Sequence, residues 1–338
     1  MRAVGSRPPV VWMFPGHGAQ YFHMGRALYD GNETFRYWMD RLDGVAADYV
    51  GQSIVDVVYD EQQSKGQPFE NMLCSHPALF IVQYAMAQTL LAKGFPPPDH
   101  LLGASLGEFV AAAVAEVSSV EDMLFDVIKQ ARLFELHCNG GAMLAVIDDV
   151  ATFDSDPLYA DGCELAGVSF DRCFVVSGLR SRILQVAAEL KERDVVHQLL
   201  PGSVAFHSSL VDGVEELFVD MFASRARRPP KIPILSCAGP MDGVARFSSA
   251  YWWRVVRQPI HFSQALAAFA DDNRDAIYLD LGPSGNMAAY VKYNMPASLH
   301  GRIIPVMSPY GRDVDYVGTA LSRLSLLLAQ DEAAGARS

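Results

Sequence analysis

The sequence is poor in what would make it a disulfide-held, membrane-spanning or nucleic-acid-binding protein. Its 338 residues hold five cysteines, Cys74, Cys138, Cys163, Cys173 and Cys237, an odd and scattered set with no C-x-x-C pair. That spacing argues against a disulfide frame or a zinc site, so reduced thiols in a cytoplasmic protein with no bound metal are expected. No apolar run is long enough to cross a membrane, and the best candidate, 78–91, is broken by Gln83 and Gln88. The first apolar run stops at Pro15-Gly16, short of a signal-peptide pattern. Basic residues are outnumbered, 27 Lys and Arg against 39 Asp and Glu, and the net charge of −12 speaks against nucleic acid as a partner. The aspartate-rich stretch 148–156 lacks the glycine and spacing of a calcium loop and reads as a solvated loop. Repeats and low-complexity segments are also missing.

What is present is apolar: 50% of the residues are hydrophobic and 20% charged, enough for one large core or a large and a small one. Candidate strands and helices alternate, the pattern of a parallel sheet covered by helices. Val10-Val11-Trp12-Met13-Phe14 reads as a buried first strand, and 76–91, with Leu79, Val82, Met86 and Leu90 at helical spacing, as a buried helix. Between 142 and 203 the texture changes to a strand (144–147), the aspartate-rich loop, a strand (174–177), a helix (183–190) and a strand (196–200). That is a compact α+β insert. Further strands are expected at 232–236, 276–281 and 303–307, and 331–338 is expected to be a disordered tail.

One motif carries chemistry. Gly103-Ala104-Ser105-Leu106-Gly107-Glu108 has the G-x-S-x-G form of a nucleophile elbow, between the apolar pair Leu101-Leu102 and an apolar-rich segment, 109–114. Small residues around the serine allow a sharp strand-to-helix turn that lifts the hydroxyl above the sheet, where a helix N-terminus can stabilise an oxyanion. A Gly/Ser turn alone would satisfy the pattern too, and a serine nucleophile still needs a base. His207 is the candidate base, with an ordinary core histidine as the alternative. The glycine-rich loop Pro15-Gly16-His17-Gly18-Ala19-Gln20 after the first strand lets backbone amides approach a reacting centre.

With the elbow, that loop and four further stretches resemble one family in the family's order: Ser75-His76-Pro77-Ala78-Leu79-Phe80, Gly141-Ala142-Met143-Leu144-Ala145-Val146, Val204-Ala205-Phe206-His207-Ser208 and Leu281-Gly282-Pro283. The family is that of the acyltransferases of fatty-acid and polyketide synthesis, the malonyl-CoA:acyl-carrier-protein transacylases and their relatives. The resemblance covers roughly residues 10 to 310. It implies an α/β fold: an α/β-hydrolase-like core with a short parallel sheet (1–141 and 204–330) and an inserted ferredoxin-like α+β subdomain (142–203). It implies Ser105 as nucleophile, His207 as base, the backbone amides of His17 and Leu106 as oxyanion hole, and a main-chain carbonyl orienting His207. That carbonyl lies in the segment 254–258 and is placed at Val255. No cofactor is implied. The acyl group arrives as a thioester on the phosphopantetheine of an acyl carrier protein, the expected partner.

Two departures bear on substrate. Where the malonyl enzymes carry an arginine that grips the free carboxylate, 25 positions after the serine, this chain has Gln130. Arg132 lies about 200° further around a helix and cannot substitute. A buried carboxylate without its partner costs about 3 to 5 kcal/mol, roughly two to four orders of magnitude in affinity. The second departure is Ala104 in place of the usual histidine before the serine, which makes the site roomier. Phe206 keeps the phenylalanine of malonyl-type domains and is read as a pocket wall. Tyr37-Trp38-Met39-Asp40, Ala131-Arg132-Leu133-Phe134-Glu135, Phe174-Val175-Val176-Ser177-Gly178 and Tyr290-Val291-Lys292-Tyr293-Asn294 resemble the stand-alone acyl hydrolases of trans-acyltransferase polyketide synthases, which clear unwanted acyl groups from carriers. The resemblance thus implies a proofreading acyl hydrolase that releases non-malonyl groups. The alternatives are a trans-acting acyltransferase and a non-catalytic docking subunit, the latter opposed by intact Ser105 and His207. Arg180, Arg182, Arg225, Arg227, Arg228 and Lys231 are candidate carrier contacts. Glu108 is expected to order the elbow's helix or a neighbouring arginine rather than to act as an acid.

Overall fold

The computed structural model describes residues 7–335 apart from 224, 226 and 240–242. The strands are β1 (Val10–Phe14), β2 (His100–Gly103), β3 (Gly141–Val146), β4 (Cys163–Phe170), β5 (Cys173–Leu179), β6 (His197–Leu199), β7 (Ile234–Ser236), β8 (Ile277–Asp280) and β9 (Ile303–Pro305). The helices that frame the site are α1 (Met72–Ala92), α2 (Leu106–Val114), α3 (Val120–His137), α4 (Arg180–Glu192), α5 (Ser249–Arg257), α6 (Asn286–Asn294) and α7 (Asp313–Gly335).

β1 is apolar at all five positions and buried at all five because it is the middle strand of a parallel sheet, order β7-β2-β1-β8-β9, covered on both faces. Its side chains divide by the period of two: Val10, Trp12 and Phe14 join one apolar cluster, Val11 and Met13 the other. α1 begins earlier than its apolar spacing suggests, because the Asn71 side chain caps it by accepting from the Cys74 amide. It is buried around nearly its whole circumference, as a helix apolar on every side must be.

A second sheet, order β4-β5-β3-β6, is antiparallel throughout and packs on α4 through Ile183, Val186 and Leu190. Its chain order is β-α-β-β-α-β, with two short helices, Ala151–Ser155 and Pro157–Ala160, in the first crossover. The aspartate-rich stretch is thus partly helical, and Asp156 caps the second of those helices by accepting from the Leu158 amide, 2.9 Å away. β4 was not expected from the sequence. Bulges at Leu165/Gly167 and Val168/Phe170 disrupt the alternation by which a strand is recognised. Gly167 at the bulge meets Ile260 of the main body, and a Cβ there would lie 2.9 Å from the Ile260 Cβ. The two crossings between the sheets run side by side, with the Gly141 amide donating to the Ser203 carbonyl at 2.9 Å.

The expectation of a disordered tail over 331–338 is corrected in part: α7 continues through Gly335, and 336–338 lie outside the described residues. Among the described residues no helix is long and apolar enough to cross a membrane.

Candidate active site

Ser105 sits between β2 and α2 with φ 52° and ψ −120°, a conformation a non-glycine residue adopts only when its surroundings impose it. The surroundings here are close backbone contacts. A Cβ on Gly103 would lie 2.6 Å from the Glu108 backbone, and one on Gly107 only 1.8 Å from the Phe14 carbonyl oxygen. Both positions must be glycine for the first turn of α2 to lie across the end of β1. The β1 loop is clamped as well: a Cβ on Gly16 would meet the Ala104 carbonyl oxygen at 2.7 Å, and one on Gly282 the Pro15 ring at 2.3 Å. The loop therefore lies between the elbow and the turn after β8. That turn is tied by buried Asp280, which accepts from the amides of Gly282 and Ala288, both at 2.8 Å.

His207, also at positive φ (59°), places Nε2 3.0 Å from Ser105 Oγ. Its Nδ1 lies 2.7 Å from the Gln258 carbonyl. A carbonyl only accepts, so Nδ1 carries the proton and the Nε2 lone pair faces the serine hydroxyl. The expected carbonyl, Val255, is corrected to Gln258. Val255 is still inside α5, whereas Gln258 is the first residue beyond it and extended (ψ 152°), so its carbonyl is released from the helical pattern. Burial holds the His207 pKa down at about 4, with the Gln258 bond opposing the shift, so the resting imidazole is neutral. Glu108 is not part of this constellation. Buried beneath α2, it accepts from Ser236 Oγ (2.8 Å), the Cys237 amide (3.0 Å) and the Tyr251 hydroxyl, and burial raises its pKa to about 7. It ties α2 to β7 and α5.

Ser105 and His207 open on a cavity of about 370 Å³ between the two sheets. His17 and Leu106 line it, and the Leu106 amide, at the first position of α2, is one that the helix itself cannot satisfy. Ala104 lines it beside the nucleophile. His76, Gln130 and Phe206 form a buried wall, Gln130 only 2% exposed with an Oε1 that has no partner. Arg132 is exposed and bonds the Tyr49 carbonyl on the outer side of α3. Among the described residues no lysine or arginine lines the cavity. On the side of Ala145, Gln198 and Tyr290 the cavity continues into a wider trough bordered by Ile147, Arg172, Val196 and Tyr293.

The basic groups noted in the sequence are largely tied up. Arg225 and Arg227 pair with Asp126, Lys231 with Glu116 at 2.6 Å, and Arg180 and Arg182 bond main-chain carbonyls. Sequence reasoning missed the His17 side chain, which bonds the Pro201 carbonyl and, through Nδ1, His76 Nε2 at 3.2 Å. The motif around His76 was visible, its partner was not.

An acyl transferase domain family matches residues 11–326. The polyketide biosynthesis acyltransferase homolog BaeD of Bacillus velezensis is 40% identical over 305 residues, 90% of this chain and 93% of the relative. The homolog PksD of Bacillus subtilis is 37% identical over 316 residues, 92% of this chain and 95% of the relative. A solved loading acyltransferase from the avermectin modular polyketide synthase superposes with a TM-score of 0.83 at 26% identity, covering 94% of this chain and 99% of that one. Extending over most of the chain and joined to a G-x-S-x-G elbow with a facing histidine, these matches place the protein in the acyl transferase domain family, among homologs from polyketide biosynthesis.

Proposed function

We propose that the protein is a serine acyl-enzyme that removes neutral acyl groups from acyl carrier proteins in cytoplasmic polyketide biosynthesis. The observation that carries this reading is the Ser105–His207–Gln258 chain of hydrogen bonds opening on a cavity that no lysine or arginine lines among the described residues. The main body (1–141 and 204–330) is read as α/β-hydrolase-like, and the insert (142–203), with its β-α-β-β-α-β order, as ferredoxin-like.

In the first half-reaction Ser105 Oγ attacks the thioester carbonyl as its proton passes to His207 Nε2. The oxyanion is met by the backbone amides of Leu106 and His17, and the Gln258 carbonyl steadies the imidazolium that forms. Collapse breaks the carbon–sulfur bond, and His207 returns its proton to the departing phosphopantetheine thiolate. In the second half a water, admitted beside small Ala104, gives its proton to His207 and attacks the ester; collapse breaks the bond to Ser105 Oγ, which takes the proton back from His207 as the carboxylic acid leaves. The arm must reach solvent, and the trough beyond Tyr290 gives it a route, while the wall of Gln130 and Phe206 faces the acyl group. Gln130 supplies no charge for a malonyl carboxylate.

That the relatives are acyltransferase homologs favours a second reading, in which a carrier thiol takes the place of the water. A panel of acyl-carrier proteins and acyl thioesters followed by intact mass separates the readings. Free acid accumulating without an acceptor supports hydrolysis; acyl groups appearing only on a second carrier support transfer; malonyl processed as readily as acetyl would remove the neutral-pocket argument.

A further inference from the structure

We infer that His17 and His76 form a positioning latch that holds the oxyanion loop against the second sheet, an inference resting on the proposed role of the His17 amide. The Pro201 carbonyl that His17 Nε2 meets belongs to the segment in which the chain returns from β6 to the main body. A carbonyl can only accept, so His17 carries its proton on Nε2 and its Nδ1 is an acceptor. His76, on buried α1, must then donate through Nε2, 3.2 Å away, which leaves His76 Nδ1 unprotonated, buried and without a partner. Burial lowers the pKa of both rings and keeps them neutral, the state this proton order requires.

The site is shaped for the contact. Gly202, at φ +119°, sits where a Cβ would lie 3.3 Å from His17 Nε2. The rings of His17 and His76 meet edge-to-face at 5.1 Å, and both pack near Phe206, the residue before His207. Gln20 braces the same loop, its Oε1 accepting from the Gly18 amide at 2.7 Å and its Nε2 donating to His17 Nδ1 at 3.4 Å, a longer contact than that of His76. One hydrogen-bonded pair thus joins the loop carrying a proposed oxyanion donor, a helix of the core and the return segment of the insert. The latch does not touch the reacting atoms. It acts by fixing where the His17 amide points, and a donor displaced from an oxyanion loses most of its effect.

The test compares His17→Ala, which keeps the backbone amide, His76→Leu, which removes the shorter of the two donors to His17 Nδ1 at similar bulk and leaves Gln20 Nε2 at 3.4 Å, His76→Gln, which restores an N–H donor, and the His17→Ala/His76→Leu double variant. The readouts are the rate of Ser105 acylation by an acetyl thioester in single turnover, kcat and KM. His17→Ala and His76→Leu should each slow acylation by about tenfold or more, short of the roughly 10²–10³ of a lost donor, with KM little changed. His76→Gln should recover most of the rate, and the double variant should be no worse than His17→Ala alone. Additive losses, no recovery in His76→Gln, or a normal rate in folded His17→Ala would overturn the latch, and His17→Ala decides the matter if His76→Leu does not fold. Wild-type enzyme that is never acylated at Ser105 would instead overturn the functional reading beneath it.

Discussion

Gly16→Ala should slow acylation of Ser105 far more than it destabilises the protein. Gly16 is not at positive φ, so alanine meets no backbone penalty there and the effect must come through contact. The added Cβ would stand 2.7 Å from the Ala104 carbonyl oxygen and 2.9 Å from the Ser105 Cβ, both rigid parts of the elbow. Reaching the 3.4 Å of ordinary contact requires the loop or the elbow to retreat by about 0.7 Å. The neighbouring amide is that of His17, and a hydrogen bond of about 2.9 Å lengthened by that amount leaves the effective range. Loss of one oxyanion donor costs roughly 10²–10³ in rate, about 2.7 to 4 kcal/mol of barrier, whereas local overpacking costs about 1 to 3 kcal/mol of stability. Rapid-quench intact-mass measurement of acyl-Ser105, paired with a thermal melt, separates the two. A folded Gly16→Ala variant acylated within a few fold of wild type would refute the placement of the oxyanion site between loop and elbow.

Ser105→Ala should abolish acyl-enzyme while leaving the melt unchanged, and His207→Ala should cost a comparable factor, with the double variant little worse in steady-state turnover. Gln130→Arg should raise malonyl loading relative to acetyl, read by competition of the two thioesters in a mass assay; an unchanged ratio would mean that the acyl group does not face this wall. kcat/KM should hold level as pH falls from 6.5 and drop as it passes about 4, because only the neutral His207 accepts the serine proton. The same depressed pKa adds a stability loss over that interval, since the unfolded chain takes up this proton near 6.5 while the folded chain does so only near about 4. A melt series across that range, wild type against His207→Gln, should show the slope reduced in the variant.

Much of the frame was legible because it is written locally. An unbroken apolar run marks β1, and small residues on both sides of Ser105 mark the elbow, for a reason the contacts of Gly103 and Gly107 make plain. His207 could be chosen through its motif, though its distance from Ser105 could not be read from the chain. What failed depends on geometry at long range or on local irregularity. β4 was hidden by its bulges. The orienting carbonyl moved from Val255 to Gln258 because the exit from α5, not its position in a motif, decides which carbonyl is free. Arg225, Arg227 and Lys231 read as a basic surface only until their acidic partners, far away in sequence, come alongside. The His17–His76 pair spans 59 positions and has no periodic signal.

Whether water resolves the acyl-enzyme formed at Ser105 is decided by a single-turnover chase. Enzyme loaded from an acetyl carrier protein is stripped of carrier and followed by intact mass in buffer alone and after addition of unloaded carrier. Acetyl-Ser105 should decay in buffer to free enzyme and acetate at a rate sufficient for turnover, with carrier adding little. An acetyl-Ser105 that persists in buffer and is cleared only when carrier thiol arrives would contradict hydrolysis and make the protein a transferase.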